Sequence, residues 1–121
     1  MTTPPPQTGD VYLADFEPVR GSEQGRKRPV IVFQNANLAG FTSTRLCVPL
    51  TSNLDRLGVP GTCSIRKGEA GLPQESVALA FQMRAMDIAR FEKRYGRLSR
   101  ETLEHVADAI LDAVGIRFDK S

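Results

Sequence analysis

Between two apolar runs of this 121-residue chain lies the stretch GSEQGRKRP, Gly21 to Pro29. Ser22 and Gln24 bring hydrogen-bonding groups, and Arg26, Lys27 and Arg28 bring three consecutive positive charges. Gly21 and Gly25 open backbone conformations closed to other residues and let a ligand come close. The link from Glu17 to Arg28 is longer than most hairpin connections, and loops of that length are often functional. Together these groups suit an anion, and a phosphate backbone in particular. Glu23 stands alone among the bases. By its pKa it can act as a general base, or it can hold Arg28 or Arg26 in a salt bridge, and both readings stay open.

Charge elsewhere is segregated. Net charge is only +2. Yet bases gather in Arg20–Arg28 and again in Arg90–Arg100, whereas the segment Glu101–Asp112 carries acids and no Lys or Arg. Any single charged run is most often a solvated face. A basic surface on a nearly neutral chain nevertheless fits a polyanionic ligand.

Composition narrows the class. With 40% hydrophobic and 25% charged residues, the chain is neither disordered nor collagenous. No apolar run approaches the ~20 residues that span a bilayer, so no membrane partner is expected. The opening MTTPPPQTGD has neither a basic nor an apolar signal region and reads as an extended lead-in over residues 1–8. A single domain over 9–121, located in the cytoplasm, is expected.

Two cysteines, Cys47 and Cys63, form no CxxC, and one histidine cannot complete a usual zinc set. No metal and no cofactor is therefore expected.

The elements that must carry the loop read as strands. DVYLADF (10–16), PVIVFQ (29–34), TRLCVPL (44–50), TCSIR (62–66) and SVALAFQMR (76–84) are rich in strand formers. Pro49 hints at an edge or bulge. NANLAGFTS suits a short helical turn, AMDIARFEK a brief turn, and RYGRLS a short sixth strand. The last element is a helix opened by an N-cap at Ser99, with Glu101 in its first turn and Gly115 as its stop. Its apolar stripe is Leu103, Val106, Ala107, Ile110, Leu111 and Val114, with Glu101, Glu104, Asp108 and Asp112 as a solvated face. Strands followed by one helix make a mainly β (α+β) domain, an antiparallel sheet or small barrel with a C-terminal helix packed on it. Were the third and fourth strands a hairpin about residue 55, Cys47 and Cys63 would stand opposite each other. Two buried, reduced thiols are the expected state.

GDVYLADFEPVRGSEQGRKRPVIVFQN, then VPLTSN, then LPQESVALAFQMRAMDIARF, then LSRETLEHVADAI resemble, in that order, the MazF/PemK family of toxin endoribonucleases. The joint occurrence of GDV, GSEQG, RPV, VPLTSN and FQMRAMD over the chain from Gly9 onward makes the likeness specific. It implies an SH3-like small barrel (MazF/CcdB-like) with a C-terminal helix, a homodimer, and a cognate antitoxin that blocks the RNA groove. It also implies metal-free cleavage of single-stranded RNA (mRNA) at short sequences, leaving a 2′,3′-cyclic phosphate or 3′-phosphate and a 5′-hydroxyl. The family's catalytic arginine and threonine fall on Arg28 and Thr51, and its loop glutamate on Glu23. RKRP is more basic here than the glycine-containing version common in such proteins.

That chemistry needs a proton acceptor, charge stabilisation at phosphorus and a proton donor. Arg28 has the rigid bidentate geometry to hold a phosphate, but an arginine is a poor base. Thr51 can orient the phosphate, or simply cap a turn. His105, alone on the predicted helix, is given no catalytic part. RNA-binding candidates are Ser22, Gln24, Arg26, Lys27, Ser52 and Arg84 for the backbone, with Asn35 and Gln82 for base edges. Phe16 and Phe41 offer stacking surfaces, although six phenylalanines must also build most of a small core. Rival readings are a gyrase-poisoning toxin on the same fold, which the lack of tryptophan disfavours, and a non-catalytic binding module.

Overall fold

A computed structural model of the protein describes residues 5–16 and 27–115. Seven strands and one helix follow in the order β1 (Asp10–Asp15), β2 (Lys27–Val32), β3 (Thr44–Thr51), β4 (Thr62–Ile65), β5 (Ser76–Leu79), β6 (Arg84–Asp87), β7 (Phe91–Arg97) and α1 (Arg100–Val114). Every pairing is antiparallel. The sheet order is β4-β5-β3-β2-β1-β7, with β6 also on β3. This is the expected mainly β architecture with a C-terminal helix.

Apolar residues on successive positions of β1 to β3 bury both sheet faces. Val11, Ile31, Val48 and Leu50 enter one cluster with Ile65, Leu72, Leu98 and Val106. Tyr12, Ala14, Val30, Val32 and Cys47 enter a second with Met86. Side chains alternate across a strand, so two buried faces require the near-continuous apolar runs seen in the sequence. The Tyr12 and Phe91 rings stack 5.0 Å apart over the second cluster.

Several expectations change. The run 76–84 is not one strand. Ala80–Gln82 is a 3-10 turn that separates β5 from β6, and the two strands pair with different stretches of β3. The segment AMDIARFEK holds the expected brief turn, Ile88–Arg90, but also supplies the rest of β6 and the start of β7. Cys47 and Cys63 do not face each other, because β5 lies between β3 and β4: Cys47 pairs with Val32 and Arg84, and Cys63 with Ala78. Both thiols are free. Contacts also reach back before Gly9. Buried Arg45 donates from Nε to the Pro6 carbonyl (3.0 Å), and the Thr8 hydroxyl donates to the Gln34 carbonyl. Asp10, only 3% exposed, accepts from the Gln7 amide and from Arg94 and Arg97 at 3.1 Å each, which ties β1 to β7.

Helix α1 starts and stops as expected, with the Ser99 hydroxyl accepting the Thr102 N–H and Gly115 left-handed at its end. Its buried face keeps Leu103, Val106 and Ile110 of the expected stripe, adds Ala109 and loses the stripe's C-terminal end. Val106 and Ala109 are buried, while Leu111 and Val114 stay 48% and 58% exposed. Hydrophobicity located the stripe, but the approach to β4 needs small side chains: a Cβ on Gly61 would lie 2.8 Å from that of Ala113. Asp112 belongs to this contact rather than to a solvated face, for its carboxylate accepts the Gly61 N–H at 2.9 Å.

Candidate active site

The site forms where the sheet splits. β2 pairs with β3 only as far as Val30↔Pro49. Beyond that pair β2 stays with β1, down to Asp15↔Lys27, while β3 turns to β5 through Leu50↔Ala78 and Thr51↔Val77. Pro49 has no N–H to donate and stands at the parting. The gap is a cavity of about 330 Å³, near the lower end of the range for ligand sites. Lys27, Arg28 and Pro29 form one lip and Leu50, Thr51 and Ser52 the other. Leu13 and Leu72 add apolar surface, and Gln74, Ser76 and Tyr95 complete the wall.

Each polar group has a defined setting. The Thr51 oxygen accepts the Asn53 N–H at 3.1 Å, a turn-capping bond that leaves the hydroxyl proton free to donate. Lys27 pairs with Glu92 at 3.1 Å, both largely exposed. Lys93 Nζ lies 5.2 Å from the Tyr95 ring centroid, cation over ring. Lys27 and Arg28 therefore bring positive charge to the opening, and Lys93 stands over the Tyr95 ring of its wall. The chemistry available is phosphate binding at the lips and apolar contact with a flat group behind them.

Two close backbone approaches fix the far wall. A Cβ on Gly71 would come within 2.6 Å of the Tyr95 carbonyl oxygen, and one on Gly96 within 2.7 Å of that of Ala70. Only glycines let the Glu69–Gly71 turn press against β7, and that turn leads straight into Leu72, Gln74 and Ser76.

The sequence candidates are distributed as follows. Lys27, Arg28, Thr51 and Ser52 meet at the cavity. Arg84 is exposed at the start of β6, with its guanidinium over the Phe16 ring. Gln82 is exposed in the 3-10 turn and does not line the cavity; nor does Asn35, whose side-chain oxygen caps the turn Ala36–Gly40. Phe41 is 86% exposed and Phe16 half-buried, so neither is a simple core residue. Ser22, Glu23, Gln24 and Arg26 lie outside the described residues. His105 is exposed on α1. Sequence reasoning missed Gln74, Ser76 and Tyr95. Only the spacing of Lys93 and Tyr95, two apart on a strand, hinted that they share a face.

A family model described as PemK-like, MazF-like toxin of type II toxin–antitoxin systems matches residues 7–114. The chain belongs to this family. It is 34% identical to the Endoribonuclease MazF of Staphylococcus saprophyticus over 93% of this chain and 94% of that protein. Among solved structures it resembles MazF from Deinococcus radiodurans at 26% identity and a TM-score of 0.72, covering 94% of this chain and all of that one. It also resembles a MazE–MazF crystal structure from the same organism, at 26% identity and a TM-score of 0.73. The matched segment of this PemK/MazF-family chain contains Arg28, Thr51 and the whole cavity wall. No helix among the described residues is long and apolar enough to cross a membrane.

Proposed function

We propose that this chain is an endoribonuclease toxin that cuts single-stranded RNA (mRNA) at short sequences without a metal and is silenced by a cognate antitoxin. The observation that carries the reading is the meeting of Arg28 and Thr51 on the two lips of one cavity in a PemK/MazF-family chain. The ribose 2′-oxygen attacks its own phosphorus, and the bond from phosphorus to the 5′-oxygen breaks. The products are a 2′,3′-cyclic phosphate, which can open to a 3′-phosphate, and a 5′-hydroxyl. Arg28 donates to the non-bridging oxygens where charge builds up. Thr51 donates its hydroxyl proton to the same phosphate. One proton leaves the 2′-hydroxyl and one reaches the 5′-oxygen. Glu23 is the proposed acceptor of the first.

Lys27 and Ser52 take the neighbouring backbone, and Gln74 and Tyr95 face the adjoining base. The metal-free reading rests on the family resemblance and on a sequence whose single histidine cannot complete a usual zinc set. A MazE–MazF complex among the similar structures supports the antitoxin. A homodimer is supported by large apolar side chains left exposed on the single chain, among them Leu57, Val59, Phe81, Leu111 and Val114.

The test is cleavage of a long, mostly unstructured RNA in EDTA by wild type and Arg28→Ala, with product ends mapped. Discrete cuts with 5′-hydroxyl ends that vanish in Arg28→Ala are expected. Intact RNA after incubation with folded, antitoxin-free protein would overturn the ribonuclease reading, and cuts abolished by EDTA would overturn metal independence.

A further inference from the structure

Two guanidinium groups share one aromatic ring. The Arg28 Cζ lies 5.9 Å from the centroid of Phe16, and the Arg84 Cζ lies 5.4 Å from it. The three residues come from different elements, and the pairing register explains their meeting. Ala14 stands opposite Arg28, and Phe16, two residues on, leaves β1 on the same side. Val32 pairs with Cys47 and Cys47 with Arg84, which brings Arg84 to that side as well. Phe16 itself packs against the apolar cluster of Tyr12, Ala14 and Val30. Its ring is thus held by a core while its surface carries two cations.

Two adjacent cations repel, and neither Arg28 nor Arg84 has a hydrogen bond or ion pair with another side chain among the described residues. Among the described residues the electron-rich Phe16 ring is the group in contact with both. Guanidinium suits this role because it is flat, delocalised and weakly hydrated. An arginine lying against a ring keeps all five of its N–H groups free to donate elsewhere, whereas a bidentate carboxylate partner would occupy two of them.

We propose that Phe16 is a positioning residue for phosphate recognition: it holds the guanidinium groups of Arg28, a residue of the cavity lip, and of Arg84 against one ring, so that one RNA strand meets both. The inference rests on the reading of Arg28 given above. Phe16 touches no reacting atom. Its contribution is that neither guanidinium must be ordered at the moment of binding.

The experiment compares Phe16→Leu, Phe16→Tyr and Phe16→Trp. Leucine keeps an apolar side chain against the cluster but removes the ring; tyrosine and tryptophan keep a ring. Two readouts are used: kcat and KM on a cleavable RNA, and affinity against salt for the same RNA carrying a 2′-deoxyribose at the cut. Phe16→Leu is expected to lower kcat/KM about tenfold, while Phe16→Tyr and Phe16→Trp stay within about threefold of wild type, following cation–ring strength. Although uncharged, Phe16→Leu should also flatten the salt dependence, because the strand then makes fewer stable phosphate contacts.

Thermal melts confirm folding, and Phe16→Met replaces Phe16→Leu if the latter does not fold. Unchanged kinetics and salt slope in Phe16→Leu would overturn the proposal. So would equal damage from leucine and tryptophan, which is the mark of a packing role. The binding arm separates the two readings: if wild type cuts nothing, the ribonuclease reading fails, while the salt slopes of the Phe16 variants still decide whether the ring positions the arginines.

Discussion

Arg28 of β2 and Thr51 of β3 line one cavity, each two residues beyond the last pair, Val30↔Pro49, that joins their strands. The site is therefore the gap left when a sheet divides, and its lips are as rigid as the strands that form them. A site on strand ends holds its groups more precisely than one on a free loop.

The role proposed for Arg28 predicts that a merely cationic replacement will not serve. Arg28→Lys keeps the charge but loses the flat bidentate fork. Cleavage should fall about 100- to 1,000-fold, the usual cost of removing a placed transition-state donor. Binding to an uncleavable RNA should fall far less. Single-turnover rates beside anisotropy titrations will check this, and equal losses in both would contradict it.

Gly96→Ala tests the cavity wall from a distance. The added methyl would meet the Ala70 carbonyl at 2.7 Å, backbone against backbone, so the Glu69–Gly71 turn must retreat from β7. A loss of about 1–3 kcal/mol in urea unfolding is expected from such overpacking. KM should rise with it, because Leu72 and Gln74 follow that turn. A stable variant with unaltered KM would show that the wall does not depend on this contact.

Acid stability should depend on Glu69. Its carboxylate accepts the Ser99 N–H at 2.8 Å, at the start of α1. That backbone hydrogen bond, first among the causes, holds its pKa below the ordinary value of 4.5. A depressed carboxylate pKa contributes stability that is present above the unfolded value and is lost as pH falls through the folded one. Glu69→Gln should accordingly be less stable than wild type at pH 6–7, by a small margin since the group is largely exposed. The margin should close below about pH 4.5. Melting temperatures from pH 3 to 7 will show it, and a margin that is constant with pH would exclude the charge as its source.

The cysteines should be inert to each other and unequal toward reagents. Burial pushes the Cys47 thiol up to about 12, against the opposing pull of Arg45 and Arg84. Burial raises Cys63 less, and Cys63 is only half-buried. A thiol reagent at pH 8 should label Cys63 before Cys47, and Cys47 only as the protein unfolds. Native protein run without reductant should show no intramolecular bridge. Fast labelling of both sites would contradict the placement of Cys47.

Local rules identified the ends of α1, because Ser99 and Gly115 act through their own backbone neighbours. They also found the apolar runs of β1 to β3, since strand propensity and burial agree there. They failed where partners are distant. A single run at 76–84 became two strands because β3 offers its other edge first to β5 and then to β6. The stripe on α1 lost its C-terminal end where the helix approaches Gly61, a residue far away in the chain whose lack of a side chain lets Ala113 come close.

By itself the sequence determined the family and the mainly β class with a final helix, and it named Arg28 and Thr51 as candidates. All of these are written in contiguous motifs or short periodicities. Only the tertiary structure decided that Arg28 and Thr51 share a cavity, that Gln74 and Tyr95 wall it, and that Phe16 carries Arg28 and Arg84 together. Those relations arise from strand register and from where a sheet parts, and register is a property of pairs of segments that no single segment encodes.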